Sequence, residues 1–419
     1  MRVARLTTGL ALALACALGP SVACATGDEK QAANPPAPDA TRPLEAGIAD
    51  APAEDVTDVV PATGCSPDGF CYVPVPSSKP VARVSASSAD DAWMLPQQSG
   101  ALLRWNGASI EQVYEYEGAT PSSITFVDLW AEKADQVWAV ATSSDDRLFF
   151  VRHAPPPGGG APEFRELATD EPSSTPIALW GTPAGDALWL ATSRAVLRVR
   201  EDANGAVVDD VSPRAGADDE HGYVWSGVWG FGPEDVFAAG VICPSSPCGA
   251  EVKAVVAHYD GTGWTITTLD SAKAIVSLRG TPPGAERRLW YDASEEPAPG
   301  EFVLATHLVA VTSAGELGPD LYMHRANEAP ACSSAIGHAP SASVGWFSSG
   351  GLLCRWTGSA LVPVRTAVAE RPMIDALNGI WAGGTDDVWL VGSAVTRTGL
   401  PQGAIAARRT AATAQGAKP

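Results

Sequence analysis

Gly379-Ile-Trp-Ala-Gly-Gly-Thr-Asp-Asp-Val-Trp-Leu-Val-Gly392 is the stretch that decides how the chain is read. It begins as a short strand ending at Trp381, turns through Asp386 and Asp387, and leaves as a second strand carrying Trp389. The phrase recurs. Its second strand returns at Asp91-Ala-Trp93, Gln136-Val-Trp138, Ala187-Leu-Trp189, Asp235-Val-Phe237, Arg288-Leu-Trp290 and Val344-Gly-Trp346. Successive anchors stand 43 to 56 residues apart. A first-strand signal precedes most of them: Leu129-Trp130-Ala, Leu179-Trp180-Gly, Val228-Trp229-Gly and Leu278-Arg-Gly280. A third strand follows, as in Leu102-Leu-Arg-Trp-Asn-Gly107 and Val255-Val-Ala-His-Tyr-Asp-Gly261. Asn-Gly and Asp-Gly predict two-residue hairpin turns, whose central residues need φ > 0. Trp264-Thr-Ile-Thr-Thr-Leu269 reads as a fourth strand.

Four antiparallel strands repeated about every 48 residues make a propeller blade. Seven anchors predict an all-β, seven-bladed β-propeller of four-stranded sheets. Six blades result if the weak copies at Trp290 and Trp346 form one distorted blade, and two smaller sheet domains are the further alternative. The Asp before each second strand is expected to accept backbone N–H bonds in the preceding turn. Each anchor Trp supplies a large apolar body to wedge between sheets. Small residues such as Ala139 and Gly392 suit the crowded positions. Phe70–Val75 is predicted to close the ring as the outer strand of the last blade, where Pro74 is tolerated at an edge.

The 419 residues carry a formal charge of −20, with 41 Gly, 35 Pro and 14 Trp. That charge excludes nucleic acid as a partner, because no basic surface can displace counterions from phosphates. Residues 1–24 read as a signal peptide. Arg2 and Arg5 form a basic start, Leu6 to Leu18 an apolar core, and Ser21-Val22-Ala23-Cys24 a relaxed lipobox that would acylate Cys24. Cleavage after Ala25 is the alternative. Residues 25–63, rich in Ala, Pro, Asp and Glu, read as a disordered acidic tether. The propeller is assigned to 64–410 and a disordered tail to 411–419.

The repeats resemble the propeller-repeat lipoproteins of myxobacteria. The residues that carry the likeness are Ser88-Ala-Asp-Asp-Ala-Trp93, Thr385-Asp-Asp-Val-Trp-Leu-Val-Gly392, Arg104-Trp-Asn-Gly107, Arg355-Trp-Thr-Gly358 and Cys65-Ser-Pro-Asp-Gly-Phe-Cys71. The resemblance implies a propeller in an outer-membrane or cell-surface lipoprotein. It brings no catalytic residues with it.

No zinc pair, nucleophile elbow or phosphate-cradling loop stands in the sequence, so no cofactor and no metal are expected. Eight cysteines leave seven once Cys16 departs with the signal, and the odd one is Cys24. The other six predict Cys65–Cys71, Cys243–Cys248 and Cys332–Cys354. The last forms only if Cys332 lies in the loop before its strand, since first and third strands of one blade stand about 10 Å apart. Four long loops, Val211–Gly222, Cys243–Ala250, Ser294–Glu301 and Thr396–Gly403, fall on one face of the disc, and Ala154–Pro162 on the other. Long loops on a rigid scaffold carry binding surfaces. Asp218, Asp219, Glu220, His221, Tyr223, Glu295 and Glu296 are the candidate binding residues. The function that follows is a non-enzymatic binding scaffold for a protein or glycan, held to the membrane by an N-terminal lipid. A glycan hydrolase using Asp219 and Glu295, or a structural envelope protein, is the alternative.

Overall fold

The computed structural model describes residues 64–416, except 119–120, 157–158, 173, 203–204, 215–221, 244–251, 299, 326–327, 329–331, 333–335, 350–351, 369–370 and 396–400. Among these residues the strands form seven antiparallel sheets of four, and Ala367–Val368 pairs with Arg371–Pro372 as a small two-stranded ribbon. Blades 1 to 6 span Val81–Glu115, Ile124–Pro172, Pro176–Asp210, Gly222–Leu269, Ala272–Arg325 and Ile336–Val364, each in simple up-and-down order. The weak copies at Trp290 and Trp346 are thus complete blades in their own right. Blade 7 takes its three inner strands from Ala376–Ala382, Val388–Val395 and Pro401–Arg409. Its outer strand is Phe70–Val73, with Phe70 opposite Arg409 and Val73 opposite Ala406. The strand ends one residue before Pro74, which is never asked to donate to the ladder. First strands meet first strands all round, and that of blade 7 meets that of blade 1, so the ring is closed.

Each anchor is buried, and each anchor Trp serves the blade after its own. Trp138 of blade 2 donates from its indole to Gly185 O of blade 3 at 3.3 Å. Trp346 of blade 6 does the same to Gly384 O of blade 7 (3.1 Å), and Trp389 of blade 7 to Ala89 O of blade 1 (3.2 Å). All three acceptors sit in the turn between first and second strands. Trp189 packs on Tyr259 and Trp264 of blade 4, and Trp290 on Phe347 and Trp356 of blade 6. Behind the anchor, the third strand places an Arg in register. Trp93 faces Arg104, Trp138 faces Arg152, Trp189 faces Arg198 and Trp389 faces Arg408. These guanidinium groups lie 4.8 to 5.8 Å from the ring centres, within cation–π range.

A second register runs round the axis. Ser85, Trp130, Trp180, Trp229, Arg279, His338 and Trp381 each pair with the anchor of their own blade. Trp130 touches Trp180 at 6.4 Å and also Trp229, two blades on, at 5.8 Å, so these rings converge on the axis. The glycines that follow Trp180, Trp229 and Arg279 make this possible. A Cβ on Gly181 would come 2.4 Å from Trp130, and one on Gly280 would come 2.3 Å from Trp229.

Several local expectations are corrected. The Asn-Gly and Asp-Gly turns hold four residues, not two. Trp105 pairs with Ile110 and Tyr259 with Trp264, and only Gly107 and Gly261 take positive φ there. Side-chain acceptors explain the longer loop: Asn106 Oδ1 accepts from the amides of Ala108 and Ser109, and Asp260 Oδ1 from those of Thr262 and Gly263. The Asp before the second strand binds side chains rather than backbone. Asp91 accepts from Ser87 Oγ and Arg104 Nε, and Asp235 faces His258 and Arg287. Threonines cap the turn amides instead, with Thr182 serving Ala187 and Thr281 serving Arg288. The tail begins with a short helix, Ala411–Gly416, where composition alone predicts none.

Cys65–Cys71 and Cys332–Cys354 are bridged, the latter with Cα atoms 5.9 Å apart. Cys332 precedes the first strand of blade 6, which starts at Ile336, so the condition set by strand spacing is met. Cys243 is buried at the end of the second strand of blade 4, and its expected partner Cys248 lies outside the described residues.

Two stability measurements follow. Trp138→Ala should cost about 3–5 kcal/mol in urea unfolding, and Trp138→Phe about 1–2, because the ring body survives while the bond to Gly185 does not. Replacing Cys332 and Cys354 together by Ser should cost about 3 kcal/mol by loop entropy, read as a shift of the urea midpoint.

Candidate binding face

Second-to-third and blade-to-blade connections share one face of the ring. On that face the described residues stand out in blade 5. Its second and third strands, Arg288–Ala298 and Glu301–Val311, are eleven residues each. The expected loop Ser294–Glu301 is therefore mostly strand: Ser294 pairs with Leu304, Glu295 with Val303, and Ala298 with Glu301. Alternation along this region lets both strands continue to the tip, and Gly300 at φ 81° helps turn the chain. Beside the tip, Phe302 is 66% exposed.

Polar groups hold this hairpin from beneath. Glu295 is buried, its Oε2 accepts from Arg325 Nε at 3.1 Å, and its Oε1 lies 3.2 Å from His307 Nε2. The contact to His307 is off the line of a hydrogen bond. His307 Nδ1 faces Asp320 at 3.2 Å, and its ring stacks on Tyr291 at 4.7 Å. Burial, then Asp320 and Glu295, push the Tyr291 hydroxyl well above the ordinary tyrosine range, so it stays protonated. Deeper still, Asp292 accepts from Ser277 Oγ at 2.5 Å and Thr306 Oγ1 at 2.7 Å.

Glu296 takes the opposite side of the strand. It meets Lys273 at 3.1 Å and accepts from the Gly300 amide at 2.9 Å. These bonds lower its carboxyl below the usual value, the amide of Gly300 most. Glu295 and Glu296, adjacent in sequence, thus do different work. Tyr223, on the first strand of blade 4, stacks flat on Trp225 at 5.2 Å. Asp218, Asp219, Glu220 and His221 lie outside the described residues, as do the central parts of the loops at 211–222 and 243–250. The geometry of an Asp219–Glu295 pair is likewise outside them. The connection at 154–162 joins third and fourth strands and belongs to the other face.

Among the described residues, no three His, Cys, Asp or Glu side chains are grouped as a metal would need. None of their helices is long and apolar enough to cross a membrane. The polar layer under blade 5 was not read from the sequence. Its one legible sign is that Leu308 stands where five other blades carry an Arg against the anchor.

No protein-family model matches the chain, and no curated protein does. Solved propellers match by shape. The Swd1 propeller of Myceliophteria thermophila superimposes with TM-score 0.55 at 13% identity, over 81% of this chain and 99% of that one. A streptogramin B lyase gives 0.52 at 13%, over 81% and 97%, and YCF48 from Cyanidioschyzon merolae 0.52 at 13%, over 81% and 99%. At such identities the likeness is one of fold.

Arg325→Met strips Glu295 of its strongest partner. It should cost on the order of 2–3 kcal/mol, less than for a fully buried pair because Arg325 is partly exposed. Adding Glu295→Leu should recover most of the loss. Urea unfolding of the two single variants and the double variant reads this coupling.

Proposed function

We propose that this protein is a cell-envelope lipoprotein whose propeller is a rigid binding scaffold for a protein or glycan. The observation that carries the reading is the blade 5 hairpin. A large aromatic side chain is held in water at its tip by a buried polar layer that a purely structural blade does not need. Exposed aromatic groups on a pre-organised element are what hot spots are made of. The basic start, apolar core and Cys24 of the first 24 residues support export and acylation, and the acidic stretch 25–63 supports a tether. The resemblance to myxobacterial propeller-repeat lipoproteins points the same way, toward the outer membrane or cell surface. At Glu295 both oxygens are committed to Arg325 and His307, which favours binding over glycan cleavage at that residue.

The test is a panel of glycans and envelope proteins offered to the purified chain, read for binding and for cleaved products. Saturable binding that falls at least tenfold in Phe302→Asp is the expected result. Binding indifferent to that change would remove the hairpin from the account, and turnover of a glycan would replace scaffold by hydrolase. Mass spectrometry of the mature chain tests the anchor. A diacylglyceryl group on Cys24 is expected, whereas an unmodified chain beginning at Thr26 would exclude the membrane.

A further inference from the structure

The axial register contains one residue that the packing does not explain. Blades 2, 3, 4 and 7 place Trp there, and blade 5 places Arg279. Its neighbours on the ring are Trp229 before it and His338 after it. Burial depresses the affinity of Arg279 for its proton, and Asp128, Arg83 and Asp292 are the charges it feels. Yet among the described residues no carboxylate comes within ion-pair distance of it, and its Nε makes no hydrogen bond. His338 offers no compensating charge. Burial, aided by Arg279, lowers its pKa to about 4, so it is neutral at pH 7.

Two residues nearer the start of the first strands, a second cation enters the shaft. Arg83 of blade 1 is exposed and stands 3.7 Å from Asp128 of blade 2, beyond hydrogen-bond reach. Its Nη1 is satisfied by Ala82 O at 2.9 Å. Asp128 itself accepts from the Leu129 amide at 2.9 Å. Asp292 is occupied by the hydroxyls of Ser277 and Thr306. The acids near Arg279 therefore have other partners, while its Nε has none among the described residues.

Arg279 is only partly exposed, its Nε is buried without a partner, and a cation so placed with no carboxylate in ion-pair reach calls for a reason. We propose that the axial shaft is a binding site for a small organic monocarboxylate, gripped by Arg279 and approached past Arg83. The planar fork of an arginine matches a carboxylate with two parallel bonds. A single negative charge fits better than two, because Asp128 and Asp292 both face Arg279 and would repel a dianion. Trp130, only partly buried at the same level, offers an apolar surface to the remainder of the acid. The ligand enters from the long-loop face, where the first strands begin and Arg83 is exposed. This site is independent of the Phe302 hairpin.

Calorimetric titration of the full chain with propionate, benzoate, propionamide and inorganic phosphate tests the proposal. The two carboxylates should bind saturably, and propionamide should not. Arg279→Gln should weaken benzoate at least tenfold, and Arg279→Lys less. Arg83→Gln, a change at an exposed side chain that leaves the fold intact, should weaken it severalfold, which keeps the test decisive if Arg279→Gln does not fold. No saturable binding of either carboxylate overturns the site. So does benzoate affinity unchanged in the folded variants. Phosphate binding more tightly than benzoate would overturn the ligand class.

Discussion

Everything in this ring depends on an indole that leaves its own sheet. Trp138, Trp346 and Trp389 each finish a neighbour's turn by donating to its backbone carbonyl. A four-stranded sheet alone would expose both faces to water and could not offset its ordering entropy. With the anchors, each blade completes the next, and the seventh completes the first. The arginines stacked behind the anchors extend this order outward. They lay apolar stems and a flat cation over rings that would otherwise meet solvent.

Blade 5 is where the order is relaxed. Leu308 replaces the stacking Arg, Arg279 replaces the axial Trp, and a layer of Asp292, Glu295, Thr306 and His307 replaces aliphatic packing. Sequences that specify one structure usually agree at every level, and departures collect where function asks for them. Both the exposed Phe302 and Arg279, whose Nε has no partner among the described residues, belong to this one blade.

The architecture was legible because Trp recurs at a steady interval with Asp and Gly around it, and such periodicity survives without an alignment. Blades 5 and 6 could be placed from Trp290 and Trp346 alone. Turn length was less legible. Asn106 and Asp260 signal a turn, but whether their oxygens hold two amides of a longer loop depends on backbone geometry that no dipeptide encodes. The pairing of Cys332 with Cys354 hinged on where a strand begins. For the candidate face, Glu295 and Glu296 were readable as acids but not as two acids with separate partners. Strand alternation sends one toward Arg325 and the other toward Lys273. Nothing in the sequence marks His307, since its neighbours Glu295 and Asp320 come from two other strands.

The closing sheet has a temporal consequence. Phe70, among the first described residues, lies opposite Arg409, among the last. On a ribosome, the ring stays unfinished until Pro401–Arg409 has emerged. The entropy of bringing such distant segments together grows only slowly with their separation, but the encounter must wait for the third strand of blade 7. The Cys65–Cys71 bridge needs no such wait. It links residues six apart and joins the start of the waiting strand to the residues before it. A chain cut short before Pro401 would lack the partner of that strand. It would present to proteases an unpaired edge that the finished molecule never shows.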